Sequence, residues 1–399
     1  MRITRDQHGY DEERSGFQTL KPHSPDVIFA VETASEIQEA VRHGPKVAVQ
    51  ATGHGLWKPL DGGVLISTRR MTAVRINEEE QTATLQAGAQ WAHVIEAAAP
   101  YGLAPLSGSS PHVGAVGYTL GGGIGLLSRQ YGYAADLVRA MDVVTADGER
   151  VRLTPGDELF HAMLGTRGAL GVVTEMEIGL LPVTTVYGGG LQFPASREVV
   201  EGYLEWTRTL PDEVTSALAL MTFPDGRHLA HIRLASTAKN AADLAEPLRS
   251  LGTPLTDTLR TLPFTESGAI ANDPPHPHAY TGTSTYLDSV DARELLEAST
   301  HLVVQLRHLG GRMTEPSRNL VAHRDAQYLL NVVSPAAEPL EGLKGRGPFL
   351  NLVYGEPTAD ELRRAFTDYD EVTQLKNTYD PQNRLTGDVT ASTTTARMP

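Results

Sequence analysis

Apolar positions in the first half of the chain follow two rhythms. Short contiguous or every-second apolar runs predict strands at residues 26–31 (DVIFAV), 46–50 (KVAVQ), 64–67, 82–87, 141–145 and 171–180 (GVVTEMEIGL). Helical spacing appears between them. Over residues 33–44, Thr33 caps, Glu36 completes a capping box, Ile37, Ala40 and Val41 share a face, and Gly44 ends the helix. Residues 90–100 place Trp91, Val94, Ile95 and Ala98 on one face, with Gly102 just beyond. A further short helix is predicted at 158–164, and Asp147-Gly148 reads as a hairpin turn. Residues 1–21 are polar and read as extended. Past Pro182 the pattern changes: 214–222, 228–234 and 328–333 are strand-like, 291–309 helix-like, and 268–288, rich in Pro, His and Thr, reads as a loop. Residues 359–368 read as helical and lead through 373–377 to YDPQN at 379–383, and the polar tail 390–399 reads as frayed.

This order predicts an α+β protein of more than one domain, which a chain of 399 residues is long enough to form. The expected units are residues 1–185, a second α+β unit over 186–357, and a C-terminal segment, 358–399. A net charge of −14 gives a long-range field of the wrong sign for nucleic acid or an anionic membrane. With no cysteine, disulfides, thiolate metal sites and thioether links to a cofactor are excluded. No apolar run is long enough to span a bilayer, and the polar N-terminus lacks a signal core, so the expectation is a soluble cytoplasmic protein.

The segment 105–136, PLSGSSPHVGAVGYTLGGGIGLLSRQYGYAAD, holds eight glycines and four serines and no charge between Pro105 and Leu127 beyond His112. Linkers of this glycine content are usually polar; this one is apolar, which fits main chain laid against something large. A dinucleotide fingerprint of the G-x-G-x-x-G type fails on spacing: counted from Gly121 or Gly123, its third glycine falls on Leu126 or Ser128.

Four runs together carry a resemblance: QATGHG (50–55), SGSSPHVGAVGYTLGGGIGLLSRQYGYAAD (107–136), GTRGALGVVTEMEI (165–178) and YDPQN (379–383). In order and spacing they resemble FAD-linked oxidases of the berberine-bridge-enzyme and 6-hydroxynicotine-oxidase type, within the vanillyl-alcohol-oxidase (PCMH) superfamily. The resemblance implies a two-subdomain FAD-binding domain and an α+β substrate domain whose large antiparallel sheet covers the flavin. It also implies that His54 carries FAD covalently, its neutral imidazole attacking the flavin 8α-methyl position in a turn opened by Gly53 and Gly55. The usual Arg-Ser-Gly-Gly-His of that turn is here Gln50-Ala51-Thr52-Gly53-His54, and Ser110 stands where many relatives place a second, cysteinyl link, so attachment through His54 alone is expected. By the same resemblance Ala51, Thr52, Gly53, His54, Gly55 and Gly108, Ser109, Ser110, His112 and Val113 cradle the pyrophosphate. Gly117, Tyr118, Gly121, Gly122, Gly123 and Gly125 lie close to the cofactor, and Gly171, Val172 and Val173 lie on its adenine side. Tyr118 matches a position near the flavin N1/C2 edge, and Val113 one linked to oxygen access.

On the substrate side AHRDAQY (322–328) and FLNLVYG (349–355) resemble strands that face the flavin in relatives. Phe349 stands where a tyrosine is common. Asn351 is retained and available to bond flavin or substrate. Candidates for a catalytic base are His323, Tyr354, Tyr328 and the loop 276–286. His276, His278 and Asp273 form a thin metal set in a proline-rich loop, and no metal is expected. The expectation is an FAD-dependent oxidase that passes hydride from a small molecule, in secondary metabolism, to flavin N5 with O2 as acceptor. A dehydrogenase, a flavoprotein guiding a non-redox cyclisation and a binding protein that has lost its cofactor are the alternatives; substrate and oligomeric state stay open.

Overall fold

The computed structural model describes residues 1–56, 58–299, 303–334, 345–387 and 389; the polar tail falls outside them. Three sheets organise the chain. The first has four strands: Arg2–Thr4 runs antiparallel to Val27–Ala30, which pairs in parallel with Val64–Ser67, and Val47–Gln50 forms the far edge. Every residue of Val27–Ala30 and Val64–Ser67 is buried, which is why both read as unbroken apolar runs. The helix Ala34–His43, with the Thr33–Glu36 capping box in place, lays Ile37, Ala40 and Val41 on this sheet. The second sheet has five strands, in the order Val74–Asn77, Thr82–Gln86, Val172–Gly179, Val138–Val144, Arg150–Leu153. The helix Trp91–Ala98 covers it with Trp91, Val94, Ile95 and Ala98.

The third sheet has eight strands and is antiparallel throughout; its central order is Thr185–Pro194, His228–Ser236, Val214–Thr222, Val303–His308, Tyr328–Ser334, Thr281–Leu287. One face is sealed by the helices Arg197–Thr207, Ala241–Arg249 and Ala292–Ala298, over a core that includes Tyr203, Leu218, Ile232, Leu306 and Leu330. Side chains alternate along a strand. The other face therefore presents the intervening residues, Arg233, Gln305, Arg307 and Asn331 among them, toward the first two sheets.

Three expectations change. Residues 1–21 are not merely extended: a strand and the short helix Tyr10–Arg14 precede Phe17, whose N–H donates to the Thr52 carbonyl at 2.9 Å. Residues 291–309 do not form one helix: it stops at Ala298, and Val303–His308 is a strand whose pattern, Val304 and Leu306 buried against Gln305 and Arg307 inward, has a period of two. Tertiary pairing on both sides of that strand overrides its helical appearance. Within 268–288, Phe264–Ile270 is a 3₁₀ helix and Thr281–Leu287 a strand.

The glycine-rich stretch ties the units together by its end. The buried Arg129 donates to the carbonyls of Val214 (2.9 Å), Leu309 (2.5 Å) and Leu210 (3.2 Å), all on the third sheet or its connections. Asp136 receives both arms of Arg324 at 3.1 and 2.8 Å, and Asn319 at 2.7 Å. The C-terminal helix Tyr369–Tyr379 returns the chain: Lys376, 3% exposed, donates to Asp380 (2.7 Å) and to the carbonyls of Ala169 and Leu385. Thr386 N–H then reaches the Val47 carbonyl at 2.8 Å, on the edge of the first sheet. Removing one partner of a pair this buried strands the other charge. Lys376→Met is expected to lower unfolding free energy by about 3–5 kcal/mol, and loss of the exposed Arg208–Glu205 pair by at most about 1 kcal/mol; denaturant titration of the two variants measures the difference.

Candidate cofactor and active site

A cavity of about 540 Å³ lies where the three sheets meet. Its walls come from the 48–56 turn, the start of the glycine-rich stretch, the third sheet's inner face and the 349–354 segment. Ala51, Thr52, Gly53, His54 and Gly55 all line it, as do Gly108, Ser109, Ser110, Val113, Gly117 and Tyr118. The turn is held from outside. Arg167 donates to the Gly55 carbonyl and, at 2.7 Å, to the Leu350 carbonyl, joining the turn to the 349–354 segment. Burial lowers its guanidinium to about 10, so it stays charged at neutral pH.

His54 is stacked on Phe17, ring centroids 3.9 Å apart at 11°. Its Nδ1 lies 2.8 Å from Thr52 Oγ1, which also accepts from Gly114 N–H at 3.3 Å. A hydroxyl has two lone pairs, so Thr52 can accept from both, and that tautomer leaves a lone pair on Nε2. Nε2 is buried and has no partner among the described residues. Burial lowers the imidazole to about 4, His112 and His278 push the same way, and Asp273 opposes them. The ring is neutral at physiological pH. Tyr280, whose hydroxyl donates to the His54 carbonyl at 2.8 Å, closes the turn from the third sheet's side.

Tyr118 also has a buried hydroxyl without a partner among the described residues. Burial pushes its phenol far above the usual range, so it is a donor. Tyr354 is pushed up by burial too, with Arg307 and Arg167 pulling the other way. Asn351 lines the wall and donates from Nδ2 to the Tyr118 carbonyl at 2.8 Å.

Several residues expected near the cofactor stand behind this wall. Gly121 and Gly123 bring main chain against side chains: a Cβ on Gly121 would lie 1.8 Å from Asn351 Oδ1, and one on Gly123, at φ +73°, 2.4 Å from the Tyr118 ring. Gly122 packs on Phe349 and Val321, Gly125 on Leu106 and the Ser107 carbonyl, and Gly171 on Val143. Val172 and Val173 are buried between the sheets, and His112 is exposed. These residues shape the wall without lining the cavity. His323 is not in the cavity either; its Nε2 bonds the Arg364 carbonyl at 2.7 Å and its backbone is left-handed, φ +54°. Tyr328 points to the helix-covered face, its hydroxyl 2.7 Å from Thr207 Oγ1. Conversely Phe17, Arg167, Gln305, Arg307 and Asn331 line the cavity without having been singled out from sequence. The period-two pattern of residues 303–308 is the signal that would have found Gln305 and Arg307.

Residues 25–154 match the family model described as an FAD binding domain. The chain thus carries an FAD binding domain, and the proteins it resembles are FAD-linked oxidoreductases. Over 392 residues it is 26% identical to an FAD-linked oxidoreductase of Dictyostelium discoideum, covering 90% of this chain and 84% of that protein. The fold is that of 6-hydroxy-D-nicotine oxidase from Arthrobacter nicotinovorans, with a TM-score of 0.84, 21% identity and 96% of each chain covered. It is also that of glucooligosaccharide oxidase from Acremonium strictum, a protein described with a 6-S-cysteinyl, 8α-N1-histidyl FAD, at a TM-score of 0.82, 18% identity and 96% and 95% coverage. The cavity fits an FAD: its walls offer bare backbone, and two buried polar atoms, His54 Nε2 and Tyr118 Oη, have no partner among the described residues.

Gly117 tests the cofactor's position. It lines the cavity, and a Cβ there meets nothing within 4 Å. Gly117→Ala is expected to leave the apoprotein as stable or up to about 1 kcal/mol more stable, whereas Gly117→Leu, filling the space, removes FAD from the purified protein; melting temperature and flavin absorbance read the two effects. A second test is pH. Burial lowers His23, His54 and His231 to about 4, and His308 to about 3. The unfolded chain takes up these protons near pH 6.5 and the folded one only near 4 or below. Stability of the apoprotein is therefore full above about pH 6.5 and falls as pH drops toward 4; urea unfolding across that range should show the loss, with a shallower slope in His54→Gln.

Proposed function

We propose that the protein is an oxidase that takes hydride from a small-molecule metabolite, with O2 as the final acceptor, and that FAD is held covalently through His54 Nε2. The observation that carries this reading is His54: neutral, clamped by Thr52 and Phe17, with one buried nitrogen unused by the protein. A structural histidine this deep normally satisfies both ring nitrogens. With Nδ1 held by Thr52, Nε2 is left to act as a nucleophile. Ser110 lines the cavity, but a serine hydroxyl without a dedicated base does not add a second bond. Bound FAD supplies a two-electron acceptor at flavin N5 that O2 can regenerate with release of H2O2.

The chain's own residues orient and neutralise. Tyr118 keeps its proton and donates a hydrogen bond toward negative charge that develops beside it. Asn351 is held by the Tyr118 carbonyl, so the two move together. The proton that leaves the substrate needs an acceptor. The high-lying phenols of Tyr118 and Tyr354 do not serve, and His323 is elsewhere. Asp273 is the carboxylate that lines the cavity among the described residues; it accepts from Ser109 at 2.5 Å and keeps its second oxygen facing Arg233 at 3.8 Å. In this reading Asp273 is the base.

Intact mass after acid denaturation is expected to include FAD, and His54→Ala to lose it while keeping the fold. Reduction of the flavin by light without oxygen, then mixing with O2, should restore its colour at once; recovery over many minutes would point to a dehydrogenase instead. Once a substrate is found, Asp273→Asn should lower kcat by about 10²–10⁴-fold and leave flavin content unchanged.

A further inference from the structure

A smaller pocket of about 80 Å³ opens off the main cavity, sharing Ser109, Ile124 and Arg307 with it. Its charged wall is built by strand register. Arg233 pairs with Ala217, and Ala217 pairs with Arg307, so three neighbouring strands set Arg-Ala-Arg in one row. Strand spacing puts the outer Cα atoms about 10 Å apart. The small residue between them leaves room in which both guanidinium groups can reach one ligand. Among the described residues the Arg307 side chain makes no hydrogen bond or ion pair, its Nη1 being buried without a partner, and the Arg233 side chain has only Asp273, at 3.8 Å.

His308, next along the strand, points the other way: it pairs with Tyr328, and its Nε2 lies 3.0 Å from Arg129 Nη1, on the helix-covered face. The remaining lining is mostly apolar, including Ile124, Ala235 and Ile270. Two guanidinium groups against one carboxylate, Asp273, leave one positive charge unmatched. A buried charge without a partner is strongly unfavourable, so the site is completed by one negative charge from outside the protein.

We propose that this pocket is an anion subsite and that the substrate of the oxidoreductase carries a carboxylate on a short apolar arm, held by Arg307 and Arg233. The proposal rests on the redox reading above for the word substrate, and on the pocket alone for the anion. Guanidinium groups pair with carboxylates through two parallel hydrogen bonds, which suits a planar anion at the end of a narrow pocket. The apolar lining receives the arm, and the reacting carbon remains in the main cavity.

Phenylacetate and phenylacetamide, nearly equal in shape, are the probes. Calorimetric titration of the FAD-loaded protein is expected to show phenylacetate binding at least about tenfold more tightly. Arg307→Met and Arg233→Met should each abolish that preference while leaving the amide's affinity within about twofold. Ala217→Leu, which keeps both charges and fills the space between them, should abolish it as well, so the result does not hang on one variant folding. Equal binding of acid and amide by the parent protein would overturn the proposal. So would an Arg307→Met variant that shifts the flavin's reduction potential and leaves the preference intact, since Arg307 would then serve the cofactor. Colourless protein that still prefers the acid would remove the redox reading and support the anion site.

Discussion

The site depends on one close approach. Main chain at Gly121 and Gly123 lies so near Asn351 and Tyr118 that no side chain fits between them. Asn351 belongs to the segment that follows the third sheet, and Tyr118 to the short helix Ala115–Leu120 that precedes the glycines. Their hydrogen bond, Asn351 Nδ2 to the Tyr118 carbonyl at 2.8 Å, crosses the boundary between the two halves of the molecule. The position of Tyr118's hydroxyl is fixed because the glycines allow the ring to pack where it does. Arg129 and Asp136, further along the same stretch, then fasten it to the third sheet and its connections. A segment that reads as loose from its composition is thus the most constrained part of the chain.

Around that contact, burial sets the protonation of every group that matters. His54 stays neutral because desolvation disfavours the charged ring more than Asp273 favours it. Tyr118 and Tyr354 stay protonated for the same reason. Guanidinium groups are the exception: they resist deprotonation far more than imidazoles do, so Arg167, lowered to about 10, keeps its charge at neutral pH. A cavity lined this way holds neutral donors and fixed cations, which stabilise negative charge that arrives within it.

Much of this was legible in the residue order, for identifiable reasons. The capping box at Thr33 and Glu36 and the helical face of Trp91, Val94, Ile95 and Ala98 are local features, and local chemistry decided them. The turn carrying His54 was legible because its glycines are needed by the backbone itself. What escaped was what depends on distant pairing. Val303–His308 looks helical beside the preceding helix, and only the strands Val214–Thr222 and Tyr328–Ser334 on its two sides make it a strand. Gln305 and Arg307 were lost with it. Phe17 could not be read as a stacking partner of His54, because a polar N-terminal segment gives no sign of where it lies. The glycines beyond Tyr118 were legible as close contacts, but sequence does not say with what: they meet protein side chains.

The charge of the molecule and that of its cavity have opposite signs, and range decides which matters. The whole chain carries −14, which repels an anion at a distance. At physiological ionic strength that field is screened beyond about 8 Å. Inside, a unit charge pair about 4 Å apart is worth on the order of 4 kcal/mol at an effective dielectric of 20. A carboxylate that has reached Arg307 therefore feels the near guanidinium far more than the acidic surface. The acidic exterior bears on how quickly an anion arrives, and the Arg-Ala-Arg row bears on how firmly it stays. Discrimination against neutral ligands follows from the second effect alone, because an amide in that pocket would leave the extra positive charge unmatched.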